Sequence, residues 1–397
     1  MDTLAPAMVS CSVVKRYDGV TARAGDAAKP DGRLGVLWEG PLFEHQSFAN
    51  VNREVVGALA RRDDVDLGLV VKSSDHAEDW DHPRDEAICR ALGHRPRDVS
   101  AYVRHRWPPE FARPERAALV LAQPWEFNQV PTDWVAGIAA SVDEVWTPSA
   151  FCRDAFVRSG VDPERVVVVP YGVNPDVFNP RVEPWPLSTE GGFRFLFVGG
   201  AIERKGFDLL LRAYVREFSS DEDVCLVVKD FHYGGHAGAV VRDLLRHPRT
   251  PAISYSYGTA APERLGGLFT ACDCYVHPYR GEGFGLPIAE AMACGLPVIV
   301  TGNGPAVEFC SDDTAYLVDA SEVTVPEVVW SPLLKTAEPP AWYLPDVGHL
   351  RALMRHAFEH RHEVRRKGAA ASERILATLT WSQTADLVVS RLRRLAG

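Results

Sequence analysis

Short apolar runs interleaved with helix-like segments recur in two sets along this chain. That alternation narrows the fold more than any other feature. The first set lies at Leu34–Trp38, Leu67–Val71, Ala101–Val103, Ala118–Leu121, Glu144–Trp146 and Val166–Val169. Helical stretches such as Asn52–Arg62 and Ser149–Ser159 fall between most of them, and the Ser149 hydroxyl suits an N-cap. The second set lies at Phe193–Val198, Val224–Val228, Ile253–Tyr257, Cys274–Val276, Val298–Val300 and Ala315–Val318, with helices at Gly206–Phe218, Pro262–Ala271 and Leu286–Cys294. Strands alternating with helices predict parallel sheets covered on both faces. A proline-containing stretch, Tyr171–Gly192, separates the sets. The expected fold class is therefore α/β, with two Rossmann-like doubly wound units. Residues 1–32 read as a partly ordered leader, 33–175 as the first unit, 176–192 as a linker and 193–380 as the second unit. Residues 322–345 read as a loop insertion. Helical segments at 346–377 and 381–395 close the chain.

The chain has 397 residues, enough for two or three domains with real cores. No apolar run approaches the roughly 20 residues of a membrane helix, and the N-terminus lacks a signal pattern. A net charge of −10 argues against nucleic acid as the main partner, because phosphate backbones are bound by basic surfaces. Contact with a membrane surface through a local basic patch stays open. The eight cysteines are scattered, and Cys272-Asp273-Cys274 is too tight for a usual zinc site. Buried free thiols in a reducing cytoplasm are expected.

The segment His277 to Pro297 carries the most chemistry. A strand-like run, Cys274–Val276, leads into a turn holding Gly281, Gly283 and Gly285, and a helix rich in Ala, Glu and Met follows. Pro287 suits the first helical position, where its missing N–H is no loss. Glycines let a backbone approach a ligand, and a helix N-terminus presents N–H groups to a phosphate. Glu282 and Glu290 bracket the turn with seven residues between them. A carboxylate can take two hydrogen bonds from a vicinal diol. The combination reads as a nucleotide-sugar site. A dinucleotide fingerprint fails, because the third glycine would fall on Leu286.

With its Gly-Phe-Gly-Leu turn and its Glu-Ala-Met-Ala-Cys-Gly-Leu-Pro-Val continuation, this segment resembles the donor signature of the family-four, retaining GT-B glycosyltransferases. The resemblance covers about 33 to 395, with motif-grade matches from about 143 onward. It implies a GT-B fold: two units facing a cleft, with a last helix that starts at Trp381-Ser382 and crosses back to the first unit. It implies that Glu290 holds the donor ribose, and that Glu282 with the Gly283-Phe284-Gly285-Leu286 backbone holds the sugar.

A second motif, Phe197-Val198-Gly199-Gly200-Ala201-Ile202-Glu203-Arg204-Lys205-Gly206, follows the first strand of the second unit. In the family this loop grips the donor diphosphate with an Arg and a Lys. Lys205 matches the lysine. The place where the family often has Arg holds Gly200, so Arg204 is the expected second cation. The other reading is a solvated helix start, although cations there oppose the helix dipole. Lys229, after the next strand, is a candidate for the nucleotide base or ribose, or lies in an ordinary turn. Asp64-Val65-Asp66 and Asp221-Glu222-Asp223 fit the metal-binding Asp-x-Asp pattern but precede their strands. Ligands bind at the opposite, carboxyl ends. No metal and no cofactor beyond the nucleotide-diphosphate sugar co-substrate are expected.

The first unit is expected to take the acceptor, a carbohydrate or other hydroxyl-bearing molecule. Glu44, His45, Gln46 and Ser47 follow its first strand, and Glu126 follows another; a surface loop is the alternative for the former. His105 ends a strand where the family often places a histidine near the reacting sugar, and an exposed histidine without a role is as compatible. Val169–Asn174 reads as an architectural hinge. The expected activity is metal-independent transfer of a sugar with retention, in which the departing phosphate oxygen takes the acceptor proton. A sugar-nucleotide epimerase on the same fold and a non-catalytic partner protein are the alternatives. The latter should lose donor-site charges, whereas Lys205, Glu282 and Glu290 are all present.

Overall fold

A computed structural model describes residues 32–72, 85–187, 192–231, 236–260, 262–326 and 334–397. The leader apart from Gly32, Cys11, part of the linker and part of the 322–345 segment lie outside them.

The first unit runs β1 (Leu34–Gly40), α1 (Ser47–Ala60), β2 (Val65–Val71), α2 (Glu86–Ala91), β3 (Ala101–Arg104), β4 (Ala118–Ala122), α3 (Thr132–Ser141), β5 (Glu144–Thr147), α4 (Ala150–Arg158) and β6 (Val166–Val168). The second runs β7 (Phe193–Gly199), α5 (Phe207–Glu217), β8 (Val224–Asp230), α6 (His236–Leu244), β9 (Ala252–Tyr257), α7 (Pro262–Thr270), β10 (Cys274–His277), α8 (Leu286–Ala293), β11 (Val298–Thr301) and β12 (Ala315–Val318). After these come β13 (Ala320–Thr324), β14 (Ala341–Pro345), α9 (Val347–Glu359), α10 (Arg361–Thr378) and α11 (Trp381–Ala396). All strands named in the sequence reading are present.

The described strands form two parallel six-stranded sheets, β2-β1-β3-β4-β5-β6 and β12-β11-β10-β7-β8-β9. Both faces of the second sheet are covered by apolar layers. This is why β7, β8, β10 and β11 read as unbroken apolar runs rather than alternating ones. Strand order reverses between β1 and β3 and between β7 and β10. At such reversals the loops diverge and leave a crevice beyond the carboxyl ends of the strands. Most of the loops that carry the predicted chemistry leave those four strands; Glu126 follows β4 and Lys229 lies in β8.

The closing helix crosses back to the first unit. Thr380 and Gln383 form a reciprocal capping box at the start of α11. Trp381, Val388, Val389 and Leu392 are buried against β1 and α1. Burying each such side chain stabilises the crossing by about 1.5–3 kcal/mol. Arg391 pairs with Glu144 and Arg393 with Asp64 to fix its rotation.

Three details differ from expectation. Residues 320–324 and 341–345 form an antiparallel hairpin rather than a loop. It reaches the first unit: Ala341 N donates to Asn128 Oδ1 at 2.6 Å, and Trp342 stacks on Phe127. Tertiary contact thus gives an aperiodic segment its shape. The predicted 346–377 helix is two helices broken at His360. Helix α1 starts at Ser47, five residues before its apolar period becomes clear. The seven described cysteines are free thiols; six are buried, and Cys89 is half-buried.

Candidate active site

Two loops of the second unit are joined backbone to backbone. Arg280 N and Gly281 N both donate to the Arg204 carbonyl, at 2.7 and 3.2 Å. Gly206, with φ of +70°, makes the closest approach, because an added Cβ would stand 1.8 Å from the Pro278 carbonyl oxygen. Arg280 fixes the pair from below with two bonds of 2.7 Å to the Asp208 carboxylate on α5. Arg204 and Lys205 lie in a short 3₁₀ turn before α5, and their side chains are largely buried. They are not a solvated helix start.

Both cations converge on Glu282. Lys205 Nζ donates to Glu282 Oε1 at 2.5 Å, and Arg204 Nη1 lies 3.9 Å from Oε2. Arg204 also donates to the Gly281 carbonyl at 2.7 Å and pairs across the domain boundary with Glu126 at 3.3 Å. His277 Nε2 lies 3.2 Å from Glu282 Oε1 without the alignment of a hydrogen bond, while its Nδ1 meets Tyr275 Oη at 2.8 Å. Burial alone would raise the Glu282 pKa. Lys205, His277 and Arg204 outweigh it and hold the carboxyl well below the usual range. Glu282 is therefore a fixed anion between two cations.

Glu290 has the opposite character. It faces inward from α8, and burial, with the Glu54 carboxylate of α1 beside it, pushes its pKa up to about 8. The apo protein thus favours a protonated Glu290 near neutrality. If a ribose diol donates to this side chain, binding selects the ionised form and must expel a proton below about pH 8. Nucleoside diphosphate affinity should then rise as pH increases toward 8, by up to about tenfold per unit, and level off above. Calorimetry at pH 6.5, 7.25 and 8 tests this, and Glu290→Gln should abolish the slope. An identical slope in the variant would assign it to another group.

The Gly281–Gly285 turn also touches the first unit. Ser149 caps α4, accepting from Cys152 N, and donates to the Gly283 carbonyl at 2.7 Å. An added Cβ on Gly281 would stand 2.5 Å from the Glu126 carbonyl oxygen. These glycines thus admit the other unit's backbone. Gly285, with φ of +89°, starts α8 without a side-chain cap. Phe284 is buried between Tyr171 and Phe309, and Leu286 packs against the cores of both units. Gly199 ends β7 beneath the Lys205 stem, followed by Gly200. Lys229 is the penultimate residue of β8 and is buried, not in a turn.

On the first unit, Glu44 is buried, His45 half-buried, and Gln46 and Ser47 are exposed at the start of α1. His105 is 1% exposed, which removes the exposed-histidine reading. Its Nδ1 lies 2.8 Å from Asn52 Oδ1, an acceptor that also takes the Trp38 indole N–H at 2.8 Å. Nδ1 therefore carries the proton, and Nε2 accepts from the Tyr171 hydroxyl at 3.2 Å. Burial pushes the His105 pKa down to about 3, so the ring is neutral. Tyr171, within the stretch read as a hinge, connects His105 to Phe284. Glu39, at the same edge, accepts from Tyr102 and Arg104 and pairs with Arg106. Sequence reading missed Asn52, Glu39, Glu54 and Tyr171 as site residues. Asn52 and Glu54 lie on α1, Glu39 lies near the end of β1 and Tyr171 follows β6, so their place at the site comes from tertiary packing.

Three of the four Asp-x-Asp aspartates make structural contacts. Asp64 pairs with Arg62 and Arg393, Asp66 with Arg33 and His94, and Asp223 accepts from Gly192 N. No helix of the described residues is long and apolar enough to cross a membrane.

Residues 183–325 match the family model of group 1 glycosyl transferases. A D-inositol 3-phosphate glycosyltransferase from Paenarthrobacter aurescens is 33% identical over 177 residues, 40% of this chain and 41% of that one. The MMP α-(1→4)-mannosyltransferase of Mycolicibacterium hassiacum is 25% identical over 258 residues, covering 64% of this chain and 54% of the relative. The matches thus span about half the length of such relatives. HepE from Anabaena, solved with UDP and glucose, superposes with a TM-score of 0.61 at 13% identity, covering 91% of this chain and all of that one. The sucrose-phosphate synthase of Thermosynechococcus elongatus gives 0.61 at 16% identity, over 91% of this chain and 99% of the synthase. The shared architecture is the GT-B fold.

Proposed function

We propose that this chain, whose second unit carries the group 1 glycosyl transferase match, transfers a sugar from a nucleotide-diphosphate sugar to an acceptor hydroxyl, with retention at the anomeric carbon. The observation that carries the reading is the convergence of Lys205, Arg204 and Glu282 at the strand-order reversal of the second sheet, facing Glu126 of the first unit. In this reading the donor lies on the second unit and the acceptor on the first. Relatives of the second unit named as glycosyltransferases, and a like-folded protein solved with UDP and glucose, support it.

The chemistry follows from the charges. The bond between the anomeric carbon and the diphosphate oxygen breaks, and its electron pair goes to that oxygen. The acceptor oxygen bonds to the same face of the carbon, and its proton passes to the departing phosphate oxygen. Negative charge on the leaving group grows through this step, so cations fixed in a water-poor site lower the barrier. An ammonium has three donors, and Glu282 takes one from Lys205, leaving others for phosphate. The ionised Glu282 can accept from sugar hydroxyls. The reduced cysteines fit a reducing compartment such as the cytoplasm.

The test is a melting-temperature panel of UDP, GDP and ADP, followed by release of the matching diphosphate from its sugar conjugates with mono- and disaccharide acceptors. A diphosphate at a hundredfold excess over its dissociation constant should stabilise the protein by about 2.7 kcal/mol. Failure to bind any of them would sink the reading. We also read the reaction as independent of a divalent metal, because the phosphate charge meets lysine and arginine while Asp64, Asp66 and Asp223 are engaged elsewhere. Turnover should survive EDTA. Complete loss restored by Mg²⁺ or Mn²⁺ would overturn that part alone.

A further inference from the structure

Three cations near the β7–β10 reversal each have a carboxylate partner: Lys205 has Glu282, Arg204 has Glu126 and Arg280 has Asp208. Lys229 differs. It is 6% exposed, yet among the described residues its ammonium makes no hydrogen bond or ion pair, and its contact is the Phe231 ring at 5.4 Å. The neighbouring Asp230 carboxylate accepts from Ala201 N and the Tyr255 hydroxyl, and its charge offsets only part of the cost of burying Lys229. Residues 232–235, outside the described residues, include no acidic side chain. A buried ammonium is costly unless an anion pairs with it.

The strand register says where that anion would sit. Lys229 pairs with Val198 and Asp230 with Gly199. Adjacent residues in a parallel ladder share a face. Lys229 therefore lies on the Val198 side, the layer that also holds Val227, Tyr275, Ile288 and Ala289 of α8. The uncapped N-terminus of α8 opens at the same edge. One strand away, the loop after Gly199 has Gly200, which offers no side chain. Burial lowers the Lys229 pKa, and the Asp230 charge beside it offsets that only in part.

We propose that Lys229 is a counter-ion for the phosphates of the bound nucleotide and supplies from β8 the charge that Gly200 cannot supply from β7. The proposal rests on the donor-site reading above. It makes the site selective for charge, so a diphosphate gains more from Lys229 than a monophosphate does.

The experiment compares wild type, Lys229→Met and Lys229→Arg by calorimetry with the diphosphate that wild type binds best among UDP, GDP and ADP, and with its monophosphate. Lys229→Met should weaken the diphosphate at least tenfold and the monophosphate less. Lys229→Arg should recover most of the loss. The melting temperature of ligand-free Lys229→Met should hold or rise, because a buried charge without a carboxylate partner is removed. Equal diphosphate affinity in Lys229→Met and wild type would overturn the proposal, as would a marked fall in ligand-free melting temperature, the mark of an internal ion pair. Wild type that binds none of the diphosphates would sink the donor-site reading and this proposal with it.

Discussion

Lys205→Ala should reduce turnover by about 100-fold or more at saturating donor, equivalent to about 2.7 kcal/mol of barrier. An interaction that strengthens as charge builds on the leaving diphosphate acts on turnover rather than on the Michaelis constant alone. The variant should also lose some stability, because Lys205 is largely buried and holds Glu282 at 2.5 Å. Removing one partner of such a pair leaves the other charge under-compensated. Arg204 remains beside Glu282 and should limit that loss. Initial rates must therefore be read with the melting temperature, at a temperature where the variant is folded. Near-normal turnover in a folded Lys205→Ala protein would remove the lysine from the reaction and leave the charge to Arg204 and Lys229.

Asn52→Leu should lower stability by about 3 kcal/mol or more, and the melting temperature by on the order of 10 °C. Asn52 is fully buried and uses all its hydrogen-bonding capacity. Oδ1 takes Trp38 Nε1 and His105 Nδ1, and Nδ2 donates to the Pro41 and His105 carbonyls at 2.9 and 3.1 Å. Leucine fits the volume but orphans four buried groups, each costing about 1–3 kcal/mol when unsatisfied. His105 would also lose the acceptor that sets its tautomer. A melting temperature within a degree or two of wild type would show that the network is redundant.

Much of this architecture was legible because its signals are local. A buried parallel strand needs an apolar run whatever its neighbours are, so β7, β8, β10 and β11 announce themselves. Gly281 to Gly285 and Pro287 mark the turn and helix start through backbone constraints of single residues. Glu282 and Glu290 carry a spacing. His105 was only half legible: its residue type and strand end were visible, but not its burial. The 341–345 strand was not legible, because it has no clear period of its own and, among the described residues, pairs only with β13.

The sequence by itself determined the α/β class, the two doubly wound units and the positions of Lys205, Glu282 and Glu290. These follow from periodicity, turn chemistry and motif spacing, which act over a few residues. The returning helix was legible only through the resemblance to the GT-B fold. Only the tertiary structure decided what those charges do to one another. Glu282 and Glu290, both glutamates of one turn-and-helix, have their pKa values driven in opposite directions, because one faces Lys205 and the other faces burial and Glu54. The partners come from loops and helices distant in sequence. Burial and Coulomb interaction depend on distance in space, which residue order does not encode locally.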